Sequence, residues 1–235
     1  MAEQPITESR PDQPLAILVS GGADSAILTA RSVRTHPAVT PIYIRSGLAW
    51  EEVELAYLRQ FLAAVACPTL RPLVILSQPT ADLYGQHWSI TGQDVPRADL
   101  PDPDAAVYLP GRNVLLLAKS LLWCHLHNVP QLAMAPLEAN PFPDATPAFF
   151  TDFARIVSQA VAGQVRVVTP YAGYRKSQVL RLGSDLPLGL TFSCMQPRAG
   201  RHCGSCAKCG ERQAGFRDAG LPDPTDYFQE PTCSV

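Results

Sequence analysis

Two stretches of this chain concentrate residue types that can do chemistry. The first is Ser20-Gly21-Gly22-Ala23-Asp24-Ser25, directly after the apolar run Leu15 to Val19. Paired glycines let a backbone turn tightly and bring its N–H groups against an anion. A helix starting near Asp24 and Ser25 adds unpaired N–H donors and a partial positive charge, which suits phosphate. Ser20 and Ser25 supply hydroxyls. Asp24 can hold Mg²⁺ or cap the helix, and on the second count the stretch is only a tight strand-to-helix turn. No Gly-Lys-Ser/Thr follows, so it is no Walker A loop, and the spacing is not G-x-G-x-x-G.

The second stretch is Cys194-x8-Cys203-x2-Cys206-x2-Cys209. Four thiolates suffice for a closed tetrahedral Zn²⁺ site, which leaves no open position for water and is therefore structural. Gly204 and Gly210 permit the turns of such a knuckle, and Arg201, Lys208 and Arg212 offset its charge. His202 can replace a cysteine. An iron–sulfur cluster is the main rival, and disulfides the bland one. Cys67 and Cys124 fall in apolar helical stretches and read as core residues; Cys233 stands apart.

The elements that must position these residues alternate. Strands are expected at Leu15–Val19, Val39–Ile44, Leu73–Leu76, Gln131–Ala135 and Val165–Val168. Helices are expected at Ser25–Arg34, Glu51–Ala66, Val114–His127, Thr146–Ala162 (capped by Thr146 ahead of Pro147) and Lys176–Leu182. Residues 80–110, rich in Pro and Asp, read as a long functional loop or lid. Such alternation predicts an α/β fold, a doubly wound five-stranded parallel sheet covered on both faces. By the switch-point rule a ligand sits at the carboxyl ends of the strands, where the glycine loop lies. The expected division is a flexible N-terminus (1–13), an α/β domain (14–189) and a C-terminal metal-binding segment (190–235).

Bulk properties exclude several classes. With 46% hydrophobic and 17% charged residues in 235, the chain is globular rather than disordered. A net charge of −2 argues against a nucleic-acid partner. No stretch is long and apolar enough to span a bilayer, and the N-terminus shows no signal-peptide h-region, so a cytoplasmic protein is expected.

The loop matches S-G-G-x-D-S, the pyrophosphate loop of N-type ATP pyrophosphatases. Further segments are more selective. Leu109-Pro-Gly-Arg-Asn-Val-Leu-Leu-Leu, Thr169-Pro170 followed by Lys176, and Leu190-Thr-Phe-Ser-Cys through Cys203-Gly-Ser-Cys-Ala-Lys-Cys-Gly-Glu-Arg together resemble the 7-cyano-7-deazaguanine synthases, the QueC family of the queuosine-precursor pathway. The resemblance runs from about residue 15 to 227 and implies a Rossmann-like fold of the adenine nucleotide alpha hydrolase type with a small Cys₄ zinc subdomain. It implies a carbon–nitrogen ligase that adenylates a small-molecule carboxylate and converts it, with ammonia, to amide and nitrile. ATP, Mg²⁺ and Zn²⁺ are the implied cofactors, and a homodimer the implied assembly.

On this resemblance ATP is expected along Val19, Ser20, Gly21, Gly22, Ala23, Asp24, Ser25, Ala26, Ile27, Leu28 and Thr29, with Asn113. Asp24, Arg112 and Lys176 are the expected catalytic groups, and Cys194, Cys203, Cys206 and Cys209 the zinc ligands. Arg112 and Asn113 can equally just start a helix, and Lys176 be a solvated surface residue. Two segments depart from the family pattern. Tyr43-Ile-Arg-Ser-Gly-Leu-Ala-Trp-Glu-Glu stands where the family reads Y-G-Q-R-H. Leu137-Glu-Ala-Asn-Pro-Phe-Pro-Asp-Ala-Thr-Pro stands for D-Y-S-G-Y-P-D-C-R and keeps only Pro143-Asp144. The rivals are a relative that adenylates another substrate and a zinc-knuckle module that binds nucleotide without catalysis.

Overall fold

In the computed structural model residues 9–228 are described; residues 1–8 of the N-terminal stretch and 229–235, with Cys233, lie outside the described residues. Five strands form one sheet: β1 (Leu15–Leu18), β2 (Val39–Arg45), β3 (Val74–Ser77), β4 (Gln131–Ala133) and β5 (Arg166–Val168). Every pairing is parallel, in the order β3-β2-β1-β4-β5. The chain winds outward from β1 to β3, then returns to the other side of β1. The switch point therefore falls between β1 and β4, beside the turn that leaves β1.

Side chains along β1 alternate between two cores, as the two-residue period of a strand requires. Leu15, Ile17 and Val19 pack with α1 (Ala23–Ser32), α2 (Glu51–Ala64), α8 (Lys176–Leu182) and α9 (Ala207–Ala219). Ala16 and Leu18 pack with α6 (Arg112–Leu126) and α7 (Pro147–Ala160). Thr146 caps α7 by accepting from the Phe149 N–H at 3.2 Å. Leu117, Leu121 and Cys124 share one face of α6, so Cys124 is a core residue; Cys67 instead lies past the end of α2, half-buried beside Thr69.

Residues 80–110 are no bare loop. They hold three one-turn helices, α3 (Ala81–Tyr84), α4 (Trp88–Thr91) and α5 (Pro103–Ala106). This stretch packs on the cysteine segment: Ala98 N–H donates to the Ser205 carbonyl at 3.0 Å, and Ala207 N–H to that of Pro96 at 2.8 Å. A third core joins Leu48, Trp50, Val95, Val107 and Leu109 to Phe192, Cys194 and Met195. Gly210 serves this contact rather than a turn. It lies inside α9, where a Cβ would fall 2.5 Å from that of Ala98.

Candidate active site

The β1–α1 turn has the geometry its glycines suggest. Gly21 adopts φ +73°, a left-handed conformation that favours glycine, and a Cβ there would meet Glu54 Cγ at 3.0 Å and its carbonyl oxygen at 3.1 Å. Gly22 is the N-cap of α1, and no side chain caps this helix, so Asp24 does not serve as one. Ser25 accepts from the Ser20 N–H at 3.3 Å and donates to the Gly22 carbonyl, closing the turn on itself. The Phe192 N–H donates to the Gly21 carbonyl at 2.8 Å, tying the turn to the C-terminal segment.

Two clefts of about 210 and 200 Å³ adjoin at this turn and share Ser20, Gly22, Asp24, Glu54 and Arg112. The first lies at the carboxyl ends of β1, β2 and β4, among Val19, Tyr43, Ile44, Met134 and Ala135, with Asn113 on its wall. The second lies between the turn and the cysteine segment, among Trp50, Trp88, Leu109, Lys176, Phe192, Lys208 and Glu211. Of the predicted contacts, Val19, Ser20, Gly22, Asp24, Ser25, Arg112, Asn113 and Lys176 line one or both clefts. Ala23, Ala26, Ile27, Leu28 and Thr29 line neither: they are the buried face of α1. Gly21 is buried under the turn against Glu54.

Charge is arranged in a chain across the second cleft. Lys176 Nζ donates to Asp24 Oδ2 at 2.6 Å and lies 3.6 Å from Glu211, which pairs with Lys208 at 2.6 Å. Lys176 is thus no solvated surface residue. Burial opposes its charge, but Asp24 and Glu211 outweigh that and raise its pKa. Burial likewise works to raise the Glu211 carboxyl, and Lys176 and Lys208 reverse it, holding it at about 2. The second Asp24 oxygen, Oδ1, is buried with no hydrogen-bond partner, a free donor atom for a hard cation. Arg112 is exposed at the mouth of both clefts.

Asn113 is partly committed. Its side-chain amide donates to the Asp144 carbonyl at 3.0 Å, and its backbone N–H to Asp144 Oδ2 at 3.0 Å. Asp144 sits in a 3₁₀ turn, Pro143–Ala145, and so holds the start of α6, which gives a structural reason for Pro143-Asp144. The other departing segment is also ordered by its own residues. Glu51, buried, accepts from the N–H groups of Ser46 (2.6 Å) and Gly47 (2.9 Å) and from Arg45 at 2.9 Å. That clamp sets the position of Trp50, which stacks on Trp88 with ring centroids 5.9 Å apart.

The four cysteines come together. All four sulfurs lie within 4.8 Å of one another, with Cys203–Cys209 at 3.9 Å and Cys194–Cys206 at 4.0 Å. A tetrahedron with Zn–S bonds of about 2.3 Å has edges of about 3.8 Å, so the set fits zinc. Backbone N–H groups of Gln196 and Cys203 point at Cys194 Sγ, and those of Ser205 and Cys206 at Cys203 Sγ, as thiolate ligands require. His202 is not part of the set. Its Nε2 accepts from the Ser193 N–H at 3.1 Å, and burial lowers its pKa to about 4. Arg212 is buried beside the cluster, where its charge acts on Cys209, and it also donates to Thr191 (2.8 Å), the Leu188 carbonyl (2.9 Å) and Thr225 (2.6 Å), bracing the segment.

Glu54, Glu211 and the Trp50–Trp88 pair are not among the residues picked from the sequence. Three acids, Glu51, Glu52 and Glu54, on the first turn of α2 look like ordinary N-terminal charges, and only Glu54's place on the buried i, i+4 face with Leu58 sets it apart.

The fold and the turn define an α/β protein whose glycine loop opens on paired clefts at the carboxyl ends of its strands. A family model described as "Queuosine biosynthesis protein QueC" matches residues 15–220, and the chain belongs to that family. A 7-cyano-7-deazaguanine synthase of Methanothrix thermoacetophila is 31% identical over 224 residues, covering 89% of this chain and 96% of that protein. The 7-cyano-7-deazaguanine synthase of Syntrophobacter fumaroxidans is 30% identical over 234 residues, covering 91% and 96%. Among solved structures, an NMN synthetase from Francisella tularensis superposes with a TM-score of 0.47 at 16% identity, covering 90% of this chain and 79% of that one. That likeness is too remote to bear on function. No helix among the described residues is long and apolar enough to cross a membrane.

Proposed function

We propose that the protein is an ATP-dependent 7-cyano-7-deazaguanine synthase, with nucleotide in the first cleft and the acceptor acid in the second. The observation that carries this reading is the intact Ser20-Gly21-Gly22-Ala23-Asp24-Ser25 turn at the seam of two clefts, in a chain matched by the family model almost end to end. A carboxylate is a poor acyl donor because oxide would have to leave. Adenylation makes AMP the leaving group, ammonia then gives the amide, and a second adenylation on the amide oxygen allows loss to the nitrile. The enzyme's work in such steps is positioning and charge stabilisation.

Ser20, Ser25 and the N–H groups around Gly21 and Gly22 cradle the pyrophosphate, with the start of α1 beneath it. Asp24, whose Oδ1 has no hydrogen-bond partner, would hold Mg²⁺, and the ion would supply charge neutralisation on the phosphates. Lys176, held by Asp24 and Glu211, presents its charge where the α-phosphate and the acid meet, and Arg112 does so from the rim. Zinc on the four cysteines is structural and fixes α9, which brings Lys208 and Glu211 to the acceptor side. A cytoplasmic homodimer using ammonia completes this reading.

Zinc-loaded protein is incubated with Mg·ATP, ammonium and 7-carboxy-7-deazaguanine, following pyrophosphate release and product mass together. AMP and pyrophosphate in step with nitrile support the reading. Product that stops at the amide or at a conjugate keeps the activation chemistry and replaces the outcome; that second reading draws on the departing segment at Arg45–Glu51. Absence of pyrophosphate overturns the proposal.

A further inference from the structure

We propose that Glu54 is the base that takes protons from nitrogen in this reaction, set where the two clefts meet. The inference rests on the synthase reading and goes beyond it to the role of one carboxylate. Five residues line both clefts: Ser20, Gly22, Asp24, Glu54 and Arg112. Among these, Asp24 is already paired with Lys176, and Arg112 cannot release its proton. Serine and glycine have no basic group. No histidine lines either cleft among the described residues. Of the five, Glu54 alone offers a carboxylate not bound to a cation, and it lies against Gly21 of the turn, where the reacting phosphate is expected.

Its geometry is fixed. Glu54 is 8% exposed; its Oε2 accepts from the Tyr43 hydroxyl at 2.5 Å, and the Trp50 side chain also hydrogen-bonds the carboxyl. The groups that act on it are Tyr43 from β2, Trp50 and Glu51 at the start of its own helix, and Arg112 from α6. Burial raises it, Tyr43 and Arg112 lower it, Glu51 raises it and Trp50 lowers it; the outcome is about 7. A base poised there both accepts and releases a proton near neutral pH. Tyr43 itself is pushed far above the ordinary phenol range by burial and by Glu54, so it remains a donor.

Adenylation moves no proton from nitrogen. Amination does: ammonia's lone pair forms the C–N bond to the acyl adenylate, a proton passes from nitrogen to Glu54, and the C–O bond to AMP breaks with its electrons. In dehydration the amide oxygen attacks the α-phosphorus of a second ATP and pyrophosphate leaves. The O-adenylated amide still carries two N–H protons: Glu54 removes one to leave the neutral imidate, releases it, and removes the second as the C–O bond breaks with its electrons, giving nitrile and AMP. Between steps Glu54 returns its proton to solvent or the departing phosphate.

The test separates the two halves in Glu54→Gln. Without ammonia, the single-turnover burst of pyrophosphate from ATP and 7-carboxy-7-deazaguanine persists within about threefold. With ammonia, amide and nitrile formation falls on the order of 10²-fold, and the rise in rate with pH near 7 disappears. Glu54→Asp restores part of the rate, and Tyr43→Phe moves the ascending limb to higher pH. A burst and an amination that fall together show a structural role and overturn the proposal, as does amination at the native rate. A native enzyme that gives no burst with this acid overturns the synthase reading itself, an outcome the variants cannot mimic.

Discussion

The first cleft takes its turn from six consecutive residues and most of its remaining wall from the ends of three neighbouring strands. The second is gathered from segments far apart in the chain: Trp50, Trp88, Leu109, Lys176, Phe192, Lys208 and Glu211. The first rests on a sheet whose core is continuous on both faces. The second depends on a cysteine knuckle, a buried arginine and a strap of one-turn helices. Backbone contacts from neighbouring residues resist change in side chains; a wall assembled from distant side chains is free to vary. The two segments that depart from the family pattern reach both clefts, with Tyr43, Ile44, Ser46, Leu48 and Asn140 on the first and Trp50 on the second, so it is assembly from distant side chains that makes the acceptor side the more easily disrupted.

The largest effect tests the dependence of the second cleft on metal. In Cys206→Ser one thiolate of four is lost, and a structural zinc supplies on the order of 10 kcal/mol of folding free energy to the segment that binds it. Zinc content should drop from one per chain to near zero. Turnover should vanish, with ATP affinity reduced far less. Metal analysis, calorimetric nucleotide binding and circular dichroism check this together. Retained zinc, or ATP binding lost in step with turnover, would erase the distinction between the clefts.

The same contrast explains what was legible in the sequence. Strand and helix periods marked all five strands, and Lys176–Leu182 to the residue, because buried apolar runs punctuated by Gly and Pro are local signals. The turn and the cysteine set were readable because their residues are close in sequence. The three one-turn helices in 80–110 were not, since each has too few residues to show a period. Helix α9 was hidden because it has almost no apolar stripe: its buried residues include Ala207, Cys209, Arg212 and Gly215. Ala26 to Thr29, expected along the nucleotide on the family resemblance, lie on the buried face of α1 because a helix carries its later residues away from its N-terminal end.

Glu54 sits on the border of the comparison, and its effect on stability is independent of any substrate. Its folded-state pKa is raised from 4.5 to about 7, so between those values the folded protein holds a proton that the unfolded chain has released. Stability therefore falls as pH rises from about 4.5 to 7, and the full penalty, at most about 3 kcal/mol, is present above that. Glu54→Gln should be more stable than the native protein at pH 8, with the gap closing by pH 5. Urea unfolding across this range measures it. A gap that is constant with pH would mean the carboxyl ionises normally. A destabilised carboxyl at the seam is the pattern expected of a group kept for its chemistry.

The turn itself should respond more modestly. Gly21→Ala puts a Cβ against Glu54 at a φ of +73°, at a cost of about 1–2 kcal/mol. The turn must shift to relieve it. ATP affinity should fall about tenfold by calorimetry while zinc content is unchanged, the mirror image of the cysteine variant. Unaltered ATP affinity would mean that nucleotide does not rest on this backbone.

The smallest effect sharpens the acceptor side alone. Trp88 stacks on Trp50 in the second cleft only, at an interplanar angle of 15°, and an aromatic pair of this kind contributes about 1 kcal/mol beyond its buried area. Trp50 is fixed by the Glu51 clamp, whereas Trp88 is carried on a single helical turn, so Trp88→Leu removes the ring face without disturbing the loop beneath Trp50. The KM for the acid should rise about fivefold, with the KM for ATP unchanged and kcat nearly so. A change in the ATP term instead would place nucleotide in the second cleft and reverse the assignment of the two.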